Sequence, residues 1–100
     1  MPNQKRLNAL GLSRRAGRCI IGDFAAEKAV KSGKAALVVL DEGASEATRA
    51  RYGGYCERAN VPLLVLESAG QAVGRPECKI IVVTDHGFAG MILAAEQEKE

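Results

Sequence analysis

The residues best suited to chemistry in this sequence are basic, and they flank a turn that opens a predicted helix. The turn is Ile21-Gly22-Asp23, and the basic residues around it are Arg14, Arg15, Arg18 and Lys28. A helix N-terminus attracts phosphate through its free N–H groups and its dipole, and guanidinium groups add bidentate hydrogen bonds. We therefore expect a positively charged surface for phosphate groups at the start of this helix. Asp23 is expected to cap the helix, in which case its carboxylate occupies some of the same donors.

A second stretch that could contact a ligand runs from Ser68 to Arg75 and contains Gly70 and Gly74. Glycine lets another backbone approach closely, which would suit a nucleic-acid chain. The same pattern also fits an ordinary tight turn. The residues alone leave both interpretations open.

Catalytic chemistry has little support. The sequence contains neither of the glycine-rich phosphate-binding motifs, and Gly11-Leu12-Ser13-Arg14 lacks the second glycine of a nucleophile elbow. His86 follows a predicted strand and could act as a general base, but no serine, cysteine or metal partner for it is evident. We expect Asp85 to cap a helix and the chain not to be an enzyme.

The three cysteines indicate a reducing compartment. Cys19, Cys56 and Cys78 are odd in number and widely spaced, and only one histidine is present to help bind a metal. Each is best explained as a small hydrophobic residue, so neither a metal nor a cofactor is expected. No apolar run approaches the ~20 residues that a bilayer requires. We therefore expect a cytoplasmic protein with no export signal and no membrane partner.

The formal net charge of +2 conceals a strong asymmetry. Residues 1–34 hold eight basic and two acidic residues, a net charge of +6, whereas the remainder carries −4. Segregation of this kind attracts polyanions to one side of a protein. A solvated basic helix would give the same pattern, so charge favours RNA as a partner without deciding the matter.

Hydrophobic periodicity predicts strands alternating with helices in one domain, residues 1–100. Strands are expected at Arg18–Ile21, Ala35–Leu40, Val61–Leu66 and Lys79–Thr84, the last three buried on both faces. Helices are expected at Gln4–Ala16, Asp23–Ser32, Ser45 to about Ala59, Ala69–Val73, and from Asp85 to an acidic tail at Glu96–Glu100. Such alternation predicts a three-layer α/β/α sandwich around a four-stranded mixed sheet.

Details within three helices are also predicted. The first should set Leu7 and Leu10, with Leu12 and Ala16 nearby, against a basic face that includes Arg6. The second should face inward with Ala26, Ala29 and Val30. The third contains Gly53-Gly54, which indicates either close packing or a frayed middle.

An ordered set of residues spans nearly the whole chain. It comprises Gly22-x5-Lys28-Ala29-Val30-x-x-Gly33, Ala36–Leu40, Cys56-Glu57 before Val61-Pro62, and Gly70-x-Ala72-x-Gly74. This set resembles the kink-turn-binding ribosomal proteins of the L-seven-Ae and L-thirty-e type. The segments Gly11–Arg18 and Asp85-x-Gly87-Phe88-Ala89 are similar to those of the small bacterial YlxQ-type members of that family.

The resemblance implies an α/β/α sandwich that recognises RNA bent at an internal loop with tandem sheared G·A pairs. It implies that the helix beginning at Gly22 enters the RNA groove, that Lys28 contacts RNA, and that the loop from Gly70 to Arg75 packs against a flipped-out nucleotide. The family often has Asn-Glu where this chain has Phe24 and Ala25, and each lost base contact weakens discrimination by about 1–3 kcal/mol. We expect Phe24 to be buried, as phenylalanine usually is, rather than stacked on a base.

The sequence therefore predicts a protein that binds structured, kink-turn-like RNA, with ribosomal or assembly proteins as candidate partners. The alternative is a protein-interaction module of the same fold that has lost specific RNA readout. The residues expected to bind RNA are Arg14, Arg15, Arg18, Gly22, Asp23, Phe24, Lys28, Lys31, Gly70, Gln71, Ala72, Val73, Gly74 and Arg75.

Overall fold

A computed structural model describes residues 4–95 and contains nine helices and strands within that range. In chain order they are α1 (Gln4–Arg15), β1 (Cys19–Ile21), α2 (Asp23–Lys31), β2 (Leu37–Asp41), α3 (Glu46–Ala59), β3 (Leu63–Leu66), α4 (Ala69–Ala72), β4 (Ile80–Val83) and α5 (His86–Ala95). The predicted order is confirmed, and the bounds agree to within two residues. The predicted acidic tail, residues 96–100, lies outside the described residues.

The four strands form one mixed sheet in the order β1-β4-β2-β3. β4 is antiparallel to both β1 and β2, whereas β3 is parallel to β2. The expectation that Val61–Leu66 is buried on both faces is wrong. β3 is an edge strand, so its outer side lacks a covering neighbour and Val65 is 41% exposed.

Side chains that alternate along the central strands feed two separate cores. Leu37 and Val39 pack with α1, α4 and α5 on one face of the sheet, whereas Val38 and Leu40 pack with α2 and α3 on the other. This is the period-two pattern of a sheet covered on both sides. The predicted three-layer sandwich is confirmed.

The buried face of α1 differs from the predicted one. Leu10 is buried as expected, but Arg6 is also buried and Leu12 is 44% exposed. α1 packs against both α4 and α5, and Gly11 comes so close to α4 that an added Cβ would lie 3.0 Å from the carbonyl oxygen of Ala72. Because two neighbouring helices contact α1, its buried surface is wider than the single apolar face that an amphipathic pattern predicts.

Several helix ends follow local rules. Asp85 caps α5 by accepting a hydrogen bond from the Phe88 N–H at 2.9 Å, and Ser45 caps α3. α3 is continuous through Gly53-Gly54, and an added Cβ at Gly53 would meet nothing within 4 Å. Neither close packing at Gly53 nor a frayed middle accounts for that pair. Between residues 4 and 95, every helix falls short of the length and apolar character needed to cross a bilayer.

Candidate functional site

The loops at one end of the sheet come together, and we call this the Gly22 end. It comprises the turn at Gly22 after β1, residues 42–45 after β2, and the segment 67–79, which joins β3 to β4. The Gly22 N–H donates to the Ile80 carbonyl at 3.2 Å, and the Glu42 N–H donates to the Leu66 carbonyl at 2.9 Å. At the opposite end α1 and α2 finish and α5 begins.

Gly22 has a conformation that other residues rarely adopt. Its φ of 106° and ψ of 150° lie in a region that is essentially restricted to glycine. This conformation turns the chain sharply from the edge strand β1 into α2. Gly22 therefore sets the direction in which the first turn of α2 leaves the sheet.

Asp23 does not cap α2, contrary to the sequence-based expectation. Its carboxylate instead accepts two hydrogen bonds from the Arg51 guanidinium, at 3.0 and 2.7 Å, and lies 2.7 Å from the Tyr52 hydroxyl. These bonds, first from Arg51 and then from Tyr52, hold the pKa of Asp23 below its ordinary value. The start of α2 has no side-chain cap, and the negative charge of Asp23 is offset by Arg51.

The contact between α2 and α3 uses other charges as well. Lys31 pairs with Glu27 at 2.7 Å and lies 4.7 Å from the centre of the Tyr55 ring. The hydrogen bond between Lys31 and Glu27 lowers the pKa of Glu27 and raises the pKa of Lys31. Tyr52 is fully buried, and burial, followed by its bond to Asp23, raises its pKa. Glu27 therefore partly offsets the positive charge of Lys31, whose side chain remains 57% exposed.

Phe24 is exposed, and the expectation that it is buried is wrong. Its exposed fraction is 85%, the highest among the exposed large hydrophobic residues of the described chain. Ala26, Ala29 and Val30 face the core, and at 100° per residue position 24 falls on the opposite side of α2. The helical spacing of the apolar residues therefore predicts an exposed position 24. The expectation of burial followed instead from the general preference of phenylalanine for protein interiors.

Lys28 is the other notable residue on the outer face of α2. It follows Phe24 by four residues, and side chains with this spacing are neighbours on a helix. Lys28 is exposed and makes no ion pair with any residue between 4 and 95. An accessible cation and an accessible aromatic ring thus lie side by side on the outer face of α2.

Gly70 has an internal packing role. It is buried, its N–H donates to Asp41 at 3.1 Å, and an added Cβ would lie 2.5 Å from the Cys78 carbonyl oxygen and 2.6 Å from that of Arg75. Burial raises the pKa of Asp41, but hydrogen bonds from backbone N–H groups, those of Gly43 and Gly70 first, and the charge of Lys79 together lower it below its ordinary value. Gly70 and the Asp41 carboxylate therefore hold α4 and the following loop in place.

The remaining predicted residues of this segment divide between the surface and the core. Val73 is buried and Ala72 is half-buried, whereas Gln71, Gly74 and Arg75 are exposed. Arg75 pairs with Glu77 at 2.8 Å. Lys79, which the sequence analysis did not single out, is exposed at the same end and lies 3.9 Å from the Asp41 carboxylate. Lys79 precedes β4, and only the strand order shows that the start of β4 lies beside Gly22.

The structure divides the basic residues predicted to form one positive surface: Arg14 and Arg15 belong to α1 on one face of the sheet, whereas Lys28 belongs to α2 on the other face. Arg18 and Gly22 flank β1, so their Cα atoms lie about 13 Å apart at opposite ends of the sheet. Arg14 lies in the last turn of α1, which ends three residues before Arg18, whereas Arg15 lines a groove between α1 and α4 together with Gln71 and Ala72. The chain crosses the sheet between α1 and α2, and this crossing separates the arginines.

Features that could support catalysis are not brought together. His86 is exposed at the first position of α5, at the end of the sheet opposite to Gly22. Burial raises the pKa of both Cys19 and Cys56, which disfavours their reactive thiolate forms. Within the described range, no three histidine, cysteine or acidic side chains are grouped so that they could hold a metal ion.

The sequence is similar to a known protein family and to two known proteins over most of its length. Residues 4–92 match the Ribosomal protein L7Ae/L30e/S12e/Gadd45 family. The RNA-binding protein YlxQ of Bacillus subtilis (strain 168) is 32% identical over 88 residues, which cover 85% of this chain and 88% of that protein. The RNA-binding protein YlxQ of Enterococcus faecium is 33% identical over 89 residues, which cover 86% of this chain and 85% of that protein.

Solved structures share the fold as well. A protein with unknown function from Bacillus halodurans C superimposes with a TM-score of 0.86 at 31% identity, covering 93% of this chain and 97% of that one. A 15.5kD RNA binding protein of Giardia lamblia superimposes with a TM-score of 0.77 at 18% identity, covering 97% and 86%. At that identity the second likeness concerns the fold alone.

Proposed function

Because this chain belongs to the ribosomal protein L7Ae/L30e/S12e/Gadd45 family, we propose that it binds structured RNA through the Gly22 end. The curated relatives described as RNA-binding proteins support this proposal. Family membership also supports the expectation of a non-catalytic protein. The proposal treats residues 1–100 as one RNA-binding module, located in the cytoplasm, where structured RNA is found and free thiols stay reduced.

The observation that carries the proposal is the accessible charge of Lys28 on the outer face of α2, one helical turn after Phe24, in a helix whose start has no side-chain cap. Arg51 offsets the carboxylate of Asp23, so a phosphate approaching this turn meets little repulsion. Arg75 and Lys79 add positive charge at the same end. Their contacts to Glu77 and Asp41 involve exposed cations, and exposed ion pairs are weak enough for a phosphate to replace.

A kink-turn is the RNA shape proposed for this surface, with the ribosome or its assembly as a setting. Phe24 and Ala25 have no groups that could hydrogen-bond to base edges, so the protein would recognise the bent backbone rather than the G·A pairs themselves. The testing experiment is a titration of a kink-turn RNA beside a control in which the sheared pairs become Watson–Crick pairs. Weaker binding of the control is expected, and equal affinity would reject kink-turn specificity.

Salt dependence tests which end of the sheet binds RNA. Neutralisation of three phosphates by Lys28, Arg75 and Lys79 predicts a slope of log K against log salt of about −2 to −3. Lys28→Ala should reduce the magnitude of the slope by about 1. Arg18→Ala removes the same charge from the other end of the sheet and serves as the matched control, with no expected change. A slope that changes in Arg18→Ala but not in Lys28→Ala would place the RNA near Arg18 instead and would overturn the proposal.

The second candidate function is a protein-interaction module of the same fold, favoured by the exposed ring of Phe24. Purified protein distinguishes the two functions by its absorbance ratio at 260 and 280 nm. Co-purifying nucleic acid that high salt removes is expected if RNA is the partner. Protein free of nucleic acid that also fails to bind RNA in the titration would favour the interaction module.

A further inference from the structure

We infer that Phe24 is a stacking platform for one unpaired RNA base, exposed where the bound RNA bends. The inference rests on the proposed RNA-binding function and names the contact that replaces base-edge reading in this chain. It assigns the RNA partner a chemical feature, an unstacked nucleotide beside a helix. It also assigns recognition to the face of that base rather than to its edge.

The exposure of Phe24 is the first step. An aromatic ring that remains 85% exposed contributes little to folding, because hydrophobic stabilisation scales with the apolar area removed from water. The ring sits at the second position of α2, directly after the glycine-specific turn at Gly22. The backbone thus holds the ring outward from a rigid element, as a binding surface requires.

The surroundings of the ring favour a nucleotide over a protein. The other exposed large hydrophobic residues in the described part of the chain are Leu12, Val65 and Met91, and they belong to α1, the far edge strand β3 and α5. Phe24 is therefore not part of a contiguous apolar patch of the kind that marks protein interfaces. A single ring beside cations is the arrangement that proteins use to hold single-stranded nucleic acid.

Charge complementarity supports the same occupant. Lys28 lies on the outer face of α2 four residues after Phe24, without an ion pair in residues 4–95. Arg51 offsets the carboxylate of Asp23, and Lys31 and Arg51 offset that of Glu27. A base stacked on the ring would therefore carry its phosphate towards Lys28 without meeting an uncompensated negative charge.

The chemistry of Phe24 and Ala25 defines what is recognised. Neither side chain donates or accepts a hydrogen bond, so neither distinguishes adenine from guanine by its edge. Every base has a π-face, and stacking is accordingly tolerant of sequence. The contact requires a base that is unstacked and free to move onto the ring.

The experiment uses a kink-turn RNA and a series in which each unpaired nucleotide in turn is replaced by an abasic residue. Wild-type protein is compared with Phe24→Ala, Phe24→Leu and Phe24→Trp. We expect Phe24→Ala to bind the intact RNA about 5- to 150-fold more weakly and Phe24→Trp to retain affinity. Phe24→Leu should behave like Phe24→Ala, because it is apolar but has no π-face.

One abasic RNA should identify the stacked base. With that RNA, wild type and Phe24→Ala should bind equally, because the partner of the ring is gone. 2-Aminopurine at the same position should lose fluorescence on binding wild type and keep it on binding Phe24→Ala. Circular dichroism and melting temperature should match across the variants, since the ring is exposed.

Equal affinity of wild type and Phe24→Ala for the whole RNA series would overturn the inference and would leave a protein contact as the role of Phe24. Its failure is distinguishable from failure of the proposed function. If wild type binds RNA with the predicted salt slope but Phe24→Ala changes nothing, only the inference fails. If wild type shows no salt-dependent RNA binding, the proposed function fails first.

Discussion

Replacing Gly70 with alanine should destabilise the folded protein by up to about 2 kcal/mol, the overpacking cost of about 1–3 kcal/mol less a gain in helix propensity of about 1 kcal/mol. The new Cβ would lie 2.5 Å from the carbonyl oxygen of Cys78 and 2.6 Å from that of Arg75. Both oxygens belong to the backbone, so they cannot rotate away as a flexible side chain would. The loop before β4 must shift, and overpacking of this kind outweighs the gain in helix propensity of about 1 kcal/mol from removing a glycine.

The chain supplies a matched control at Gly53. Gly53→Ala makes the same chemical change inside α3, where the added methyl group meets nothing within 4 Å. Only the propensity gain remains, so Gly53→Ala should stabilise the protein by about 1 kcal/mol. The propensity gain is common to both variants, so they should differ by the overpacking cost of about 1–3 kcal/mol, which corresponds to roughly 5–20 °C in melting temperature for a domain of this size.

Equilibrium unfolding in urea, followed by far-ultraviolet circular dichroism, measures both variants. The dependence of the unfolding free energy on urea concentration should be the same for wild type and variants, since the surface exposed on unfolding is the same. Because the displaced loop also forms part of the Gly22 end, Gly70→Ala should weaken RNA binding while Gly53→Ala leaves it unchanged. A Gly70→Ala variant as stable as Gly53→Ala would refute the close packing of α4 against this loop.

Three further changes test the elements around the site. Asp23 has a folded-state pKa below its unfolded value of about 4, so the stabilisation that it provides is present above that pH and is lost as the pH falls further. Asp23→Asn should therefore flatten the pH dependence of the unfolding free energy below pH 4. An unchanged pH profile would contradict the bond to Arg51. Tyr52→Phe should cost about 1 kcal/mol at pH 7 in the same assay, because the bond from the buried hydroxyl to Asp23 is lost, whereas no loss would exclude that bond. Asp85→Ala should cost about 1 kcal/mol through the lost bond from the Phe88 N–H, and Asp85→Asn should recover most of it.

Phe24 illustrates how a correct pattern can be misread. The spacing of Ala26, Ala29 and Val30 predicted the buried face of α2 correctly. That spacing also places position 24 on the outer face. The preference of phenylalanine for protein interiors is an average over many proteins, whereas helical periodicity is a geometric constraint on this particular chain. The local constraint prevailed.

Charge was harder to interpret, because position along the chain differs from position in space. Arg18 and Gly22 are close in sequence, yet a strand carries them to opposite ends of the sheet. Asp23 and Arg51 are 28 residues apart and form the ion pair that anchors the start of α2 to α3. The net charge of a segment therefore did not indicate which cations would share a surface.

The amino-acid sequence by itself determined the features that depend on neighbours within a few positions. These include the order of helices and strands, the caps at Ser45 and Asp85, the inward face of α2 and the alternation that covers the sheet on both sides. Only the tertiary structure decided that β3 lies at an edge, that Gly70 is enclosed by the loop before β4, and that Lys28 remains accessible while Lys31 is paired. The physical reason is that periodicity and capping act through bonds a few residues long, whereas strand order and ion pairing bring together groups whose separation along the chain carries no record of their distance in space.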